Sequence, residues 1–145
     1  LASAVEACWL EDGPRVGRAL VVVTGGEPAL QIDAALVDAF HARSFEVAIE
    51  TNGTVALPAG IDWVTVSPKA GTEVVVREGQ ELKLVWPQDL DPAVLLDWGF
   101  EHFFLQPMDG EGARREQSTR AAVALCLAEP RWRLSVQTHK ILGLP

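Results

Sequence analysis

Short apolar runs that break off into polar clusters recur along this chain, and between them the apolar residues shift to helical spacing. Ala19–Val23 (ALVVV) is the first such run, stopped by Gly25-Gly26. An uninterrupted apolar stretch of that length suits a strand buried on both faces, as in a parallel sheet. Residues 46–50 (EVAIE, closed by Asn52-Gly53), 63–66 (WVTV, closed by Pro68), 72–77 (TEVVVR), 81–86 (ELKLVW), 102–105 (HFFL, closed by Gln106-Pro107) and 133–137 (RLSVQ) read as further strands. Residues 1–10, 30–43, 92–98 and 117–127 read as helices from their apolar spacing. Strands alternating with helices predict an α/β fold with a mainly parallel sheet. At 145 residues, the chain 1–145 suits a single domain.

The polar clusters fall at the strand ends: TGGEP at 24–28, ETNGT at 50–54, SPK at 67–69, QPMDG at 106–110 and QTHK at 137–140. In parallel sheets and barrels the C-terminal strand ends line the ligand site, so these clusters predict one pocket built from the whole sheet. Gly25 and Gly26 can take positive φ and bring the backbone close to a ligand. Pro28 suits the first turn of a following helix, and Glu27 can either meet a ligand ammonium or cap that helix. Ser67 and Lys69 place a hydroxyl and an ammonium on a turn stiffened by Pro68. Gln106, Pro107, Met108 and Asp109 offer an amide, a thioether for a purine face and a carboxylate for a ribose diol. His139 follows the last strand. There is no Walker motif and no GxGxxG fingerprint.

A formal net charge of -8 disfavours general attraction to nucleic acid, and no apolar run approaches the ~20 residues that span a bilayer. Cys8 and Cys126 stand far apart with no CxxC or Cys/His partner, which predicts no metal site and two buried, reduced thiols in a cytoplasmic protein. Trp9, Trp63, Trp86, Trp98 and Trp132 sit among apolar neighbours and are expected in the core. Leu1, with helical spacing already under way, reads as a chain whose natural start lies upstream.

The TGGEP segment resembles the GGEP motif of radical S-adenosylmethionine enzymes. IETNG at 49–53, VSPK at 66–69, LKLV at 82–85, LQPMDG at 105–110 and SVQTHK at 135–140, with Pro145 last, are similar in order and content to the 7-carboxy-7-deazaguanine synthase family. The resemblance runs from about Ala19 to the end and implies an incomplete (β/α) barrel. It implies conversion of 6-carboxy-5,6,7,8-tetrahydropterin to 7-carboxy-7-deazaguanine and ammonia, by a lyase of queuosine biosynthesis. S-adenosylmethionine, a 4Fe–4S cluster, Mg²⁺, a reductant such as flavodoxin and a homodimer come with it. Thr24 is the implied substrate contact, with the Pro145 carboxylate and its neighbour His139. Gly25, Gly26, Glu27, Ser67, Pro68, Lys69, Gln106, Pro107, Met108 and Asp109 are the implied S-adenosylmethionine contacts. The family's three cluster cysteines and its magnesium-binding threonine have no match here, so the chain alone is expected to bind no cluster, to be inactive, and to leave one sheet edge uncovered. Two other readings stand beside this one: another radical enzyme, such as a glycyl-radical activase, and a nucleotide-binding module without radical chemistry.

Overall fold

The computed structural model describes residues 1–11, 13 and 17–144. Helix α1 (Ala2–Leu10) precedes β1 (Ala19–Val23), a 3₁₀ turn (Pro28–Leu30), α2 (Ala34–His41), β2 (Phe45–Thr51), β3 (Trp63–Val66) and β4 (Glu78–Trp86). Then follow α3 (Pro92–Leu95), β5 (Gly99–Pro107), α4 (Ala113–Ala128), β6 (Trp132–Leu134) and α5 (Thr138–Leu142). The six strands make one sheet in chain order, every neighbouring pair is parallel, and β1 and β6 are its two edges. That is the open, partial barrel expected. All strand C-termini therefore lie on the same side.

Side chains alternate across a strand, so each strand divides its residues between two faces. One face is apolar and covered. Val47 and Ile49 of β2, Val66 of β3, Leu82 and Leu84 of β4 and Leu105 of β5 are fully buried. Each such side chain contributes roughly 1.5–3 kcal/mol through burial. Helix α2 covers the β1–β2 half with Val37 and Phe40, and α4 covers the β5–β6 half with Ala122. The opposite, concave face is mixed: Leu20, Val22, Glu50 and Trp63 are exposed there, and Glu81 and Lys83 half-buried.

The expected elements recur with shifted ends, and five expectations are corrected. Residues 72–77 form no strand. Val75 and Val76 donate their N–H groups to the Gly53 carbonyl at 2.8 and 3.0 Å, and Val74 is buried. This irregular crossover fills the core between β3 and β4 where a helix would otherwise lie. The expected helix 30–43 is split, because Asp33 caps a new start by accepting from the Leu36 N–H at 2.8 Å. The last strand ends at Leu134, and His139 sits in the short α5. Trp132 is core, but Trp63 is 38% exposed on the concave face and stacks on His102, ring centroids 6.0 Å apart. Cys8 is exposed and Cys126 half-buried, contrary to two buried thiols.

Candidate functional site

Beyond β1 the chain turns through Gly25 (φ +93°) and Gly26 (φ +62°), conformations that L side chains adopt only with strain. A Cβ at either position would meet nothing within 4 Å, so the requirement is conformational and the backbone faces open space. Among the described residues no hydrogen bond engages the peptide groups of Gly25 or Gly26. They remain free to bind a polar head group.

Glu27 does something else. Its Oε1 accepts from the Thr51 hydroxyl at 2.6 Å and from the Ala29 N–H at 3.0 Å, and its Oε2 accepts from the Asn52 N–H at 2.8 Å. The carboxylate caps the 3₁₀ turn and fastens the first strand-end loop to the second. Both oxygens are thus held by the protein. The helix-capping reading is realised, and a ligand ammonium would have to use the remaining lone pairs.

The SPK turn is held by Gln88, just beyond β4. Its amide donates to the carbonyls of Pro68 (3.2 Å) and Val85 (2.9 Å) and accepts from the Ala70 N–H (3.0 Å). Pro68 is fully buried, so it shapes the turn rather than facing the cavity. Lys69 Nζ donates to Ser67 Oγ at 2.9 Å. Burial pushes the Lys69 ammonium below its usual range, and the nearby Lys83 pushes the same way.

These loops surround a cavity of about 710 Å³ at the C-terminal ends of the strands, within the size range of small-molecule sites. Thr24, Gly25, Gly26, Ser67, Lys69, Gln106 and His139 line it together. Pro107, Met108 and Asp109 line a smaller recess of about 120 Å³ that shares Val136 and Gln137 with the cavity. Asp109 is clamped by Lys140 of α5, by Arg115 of α4 at 3.0 Å and by the Gly110 N–H at 2.9 Å. The hydrogen bond from Lys140, followed by that from Gly110, lowers its carboxyl to about 2. Asp109 therefore anchors the C-terminal segment. Pro145, the other substrate contact implied by resemblance, lies outside the described residues.

Of the cavity floor, Glu50 of the ETNGT cluster was foreseen from the sequence, and Lys83 and Glu81 were not. Glu50, Lys83 and Glu81 project from the concave face into the cavity, and Lys83 Nζ donates to Glu50 Oε2 at 2.9 Å. The signal lay in ELKLV, where apolar Leu82 and Leu84 alternate with Glu81, Lys83 and Val85 in the period of a half-buried strand. With two ammoniums, two carboxylates, hydroxyls, amides and free backbone groups, the cavity suits a zwitterionic ligand beside a polar heterocycle. Free glycine backbone for an ammonium, lysine for a carboxylate and the room available all fit S-adenosylmethionine. An iron–sulfur cluster does not fit these residues: the two thiols sit on α1 and α4, and among the described residues no group of three or more His, Cys, Asp or Glu side chains could hold a metal ion. No helix of the described residues is long and apolar enough to cross a membrane.

No family model matches the sequence. The chain is 58% identical over 146 residues to the 7-carboxy-7-deazaguanine synthase of Caulobacter vibrioides, covering all of this chain and 67% of that protein. It is 56% identical to the enzyme of the same name from Bordetella pertussis, with the same coverage. The crystal structure of QueE from Escherichia coli superposes with a TM-score of 0.69 at 30% identity, over 94% of this chain and 63% of that one. The chain thus spans about two thirds of the length of these relatives.

Proposed function

The chain belongs to the 7-carboxy-7-deazaguanine synthase family, and from that premise we propose that its strand-end cavity holds S-adenosylmethionine and 6-carboxy-5,6,7,8-tetrahydropterin side by side. The family's reaction is the radical-mediated ring contraction of this pterin to 7-carboxy-7-deazaguanine, with release of ammonia, in queuosine biosynthesis. The observation that carries the proposal is the convergence of Thr24, the open Gly25-Gly26 backbone, Ser67, Lys69, Gln106 and His139 on one cavity.

S-adenosylmethionine, when bound and reductively cleaved, supplies the radical that takes a hydrogen atom from the substrate. This chain's residues bind and orient. The carbonyls of the Gly25-Gly26 turn accept from the methionyl ammonium, and Lys69 donates to its carboxylate. Met108 packs on the adenine from the adjoining recess, where Asp109 accepts from the ribose diol with the lone pairs its clamps leave. Thr24 donates to the pterin, and His139 and Pro145 complete that side of the site. The 4Fe–4S cluster and Mg²⁺ belong to residues other than those described. In the proposed setting the protein is a cytoplasmic homodimer served by a reductant such as flavodoxin.

Titrating S-adenosylmethionine into the protein by calorimetry tests the cofactor half. Losing a charge-assisted hydrogen bond costs roughly 1.5–3 kcal/mol, so Lys69→Met is expected to weaken binding about tenfold to a hundredfold. Unchanged affinity in that variant would remove Lys69 from the site and the proposed pose with it.

A further inference from the structure

Forming an unsaturated five-membered ring with loss of ammonia moves protons as well as a hydrogen atom. Substrate equals product plus ammonia atom for atom, so the conversion has no net oxidation. A C–H bond must nevertheless break heterolytically for the new ring double bond to form. A proton acceptor has to stand against the ring, and this reasoning rests on the proposed function above.

Most carboxylates of the site are already committed. Glu27 is held by Thr51, Ala29 and Asn52, Asp109 by Lys140 and Arg115, and Glu50 by Lys83. Glu81 differs. Among the described residues no hydrogen bond or ion pair engages its carboxylate. The parallel register sets Glu50, Thr65, Glu81 and His102 in one row across β2 to β5. Glu81 lines both the strand-end cavity and a second hollow on the concave face, bounded by Leu20, Val22, Trp63 and Thr65, so it stands at the floor where the two meet.

We propose that Glu81 is the proton-transferring carboxylate of the ring-forming step. It takes the proton from the ring carbon, and the C–H electron pair becomes the ring double bond. The C–N bond breaks with its pair on nitrogen. The carboxyl proton then passes to that nitrogen, which leaves as ammonia and restores the carboxylate. The charged and titratable groups facing Glu81 are Lys83 on its own strand, Glu50 on β2 and His102 on β5. Burial acts most strongly and raises its carboxyl above the usual 4.5, Lys83 opposes that, Glu50 adds to it and His102 lowers it. Such a shift brings a carboxyl toward the operating range of a general base.

The test uses the full-length protein loaded with its cluster, S-adenosylmethionine, reductant and the pterin. A general base contributes about a hundredfold or more to rate, so Glu81→Gln is expected to lose at least that much product formation. Substrate affinity and hydrogen transfer from substrate into 5′-deoxyadenosine should persist. Glu81→Asp is expected to recover part of the rate with a displaced acid limb, since activity is lost as pH falls through the pKa of the base. Independently of turnover, carboxyl-labelled glutamate NMR should show one resonance, missing from Glu81→Gln, that titrates above 4.5. A wild-type enzyme that makes no product overturns the functional reading itself. An active wild type whose Glu81→Gln variant keeps its rate and acid limb overturns only this inference. If Glu81→Gln does not fold, an unmoved acid limb in Glu81→Asp does the same.

Discussion

Asp109 and Glu27 show how one side chain can serve a site by holding its walls. Glu27 joins the TGGEP turn to Thr51 and Asn52, so the Gly25-Gly26 backbone is aimed by a contact 24 residues away in sequence. Nothing in GGEP itself reveals that partner. Asp109 ties β5, α4 and α5 together, and its carboxyl is lowered to about 2 from 3.8. A depressed folded-state pKa contributes stability that is fully present above the unfolded value and is lost as pH falls through the folded one. Between about pH 4 and pH 2 the protein should therefore lose stability partly through Asp109. Asp109→Asn should flatten that part of the profile of urea midpoint against pH. An unaltered acid slope would mean that the clamp has no energetic role.

At the scale of elements, the strands with apolar inner faces were legible, and the crossovers were not. Ala19–Val23 and Trp63–Val66 end where their apolar runs end. Residues 72–77 carry the same β-branched signal, yet their hydrogen bonds go to the Gly53 carbonyl. Local composition reports that Val74 wants burial but not which partner supplies it. Gly53 is the hinge of this packing. It has φ +79°, and a Cβ there would lie 2.8 Å from Val66 Cγ1 and 2.9 Å from Val74 Cγ1. Left-handed strain of roughly 1–2 kcal/mol and overpacking of roughly 1–3 kcal/mol add. Gly53→Ala should destabilise the fold by about 2–5 kcal/mol in chemical denaturation. A loss below the measurement error would show that the 72–77 crossover is not anchored there.

For the whole molecule, a single sheet with all strands running one way explains why separate, individually weak motifs act together. Parallel pairing in chain order brings TGGEP, ETNG, SPK and the residues after β5 and β6 to one rim. The rim was readable as a row of polar clusters after apolar runs. Glu81 and Lys83 of the floor were not, because they look like ordinary solvent-facing alternation until the sheet curves around them. On the proposed function, this cavity serves ring contraction of the pterin. The most direct measurement is mass spectrometry of the products when the full-length protein, reduced and supplied with S-adenosylmethionine, is given 6-carboxy-5,6,7,8-tetrahydropterin. Equal amounts of 7-carboxy-7-deazaguanine and ammonia are expected; cleavage of S-adenosylmethionine with the pterin left unchanged would overturn the proposed function.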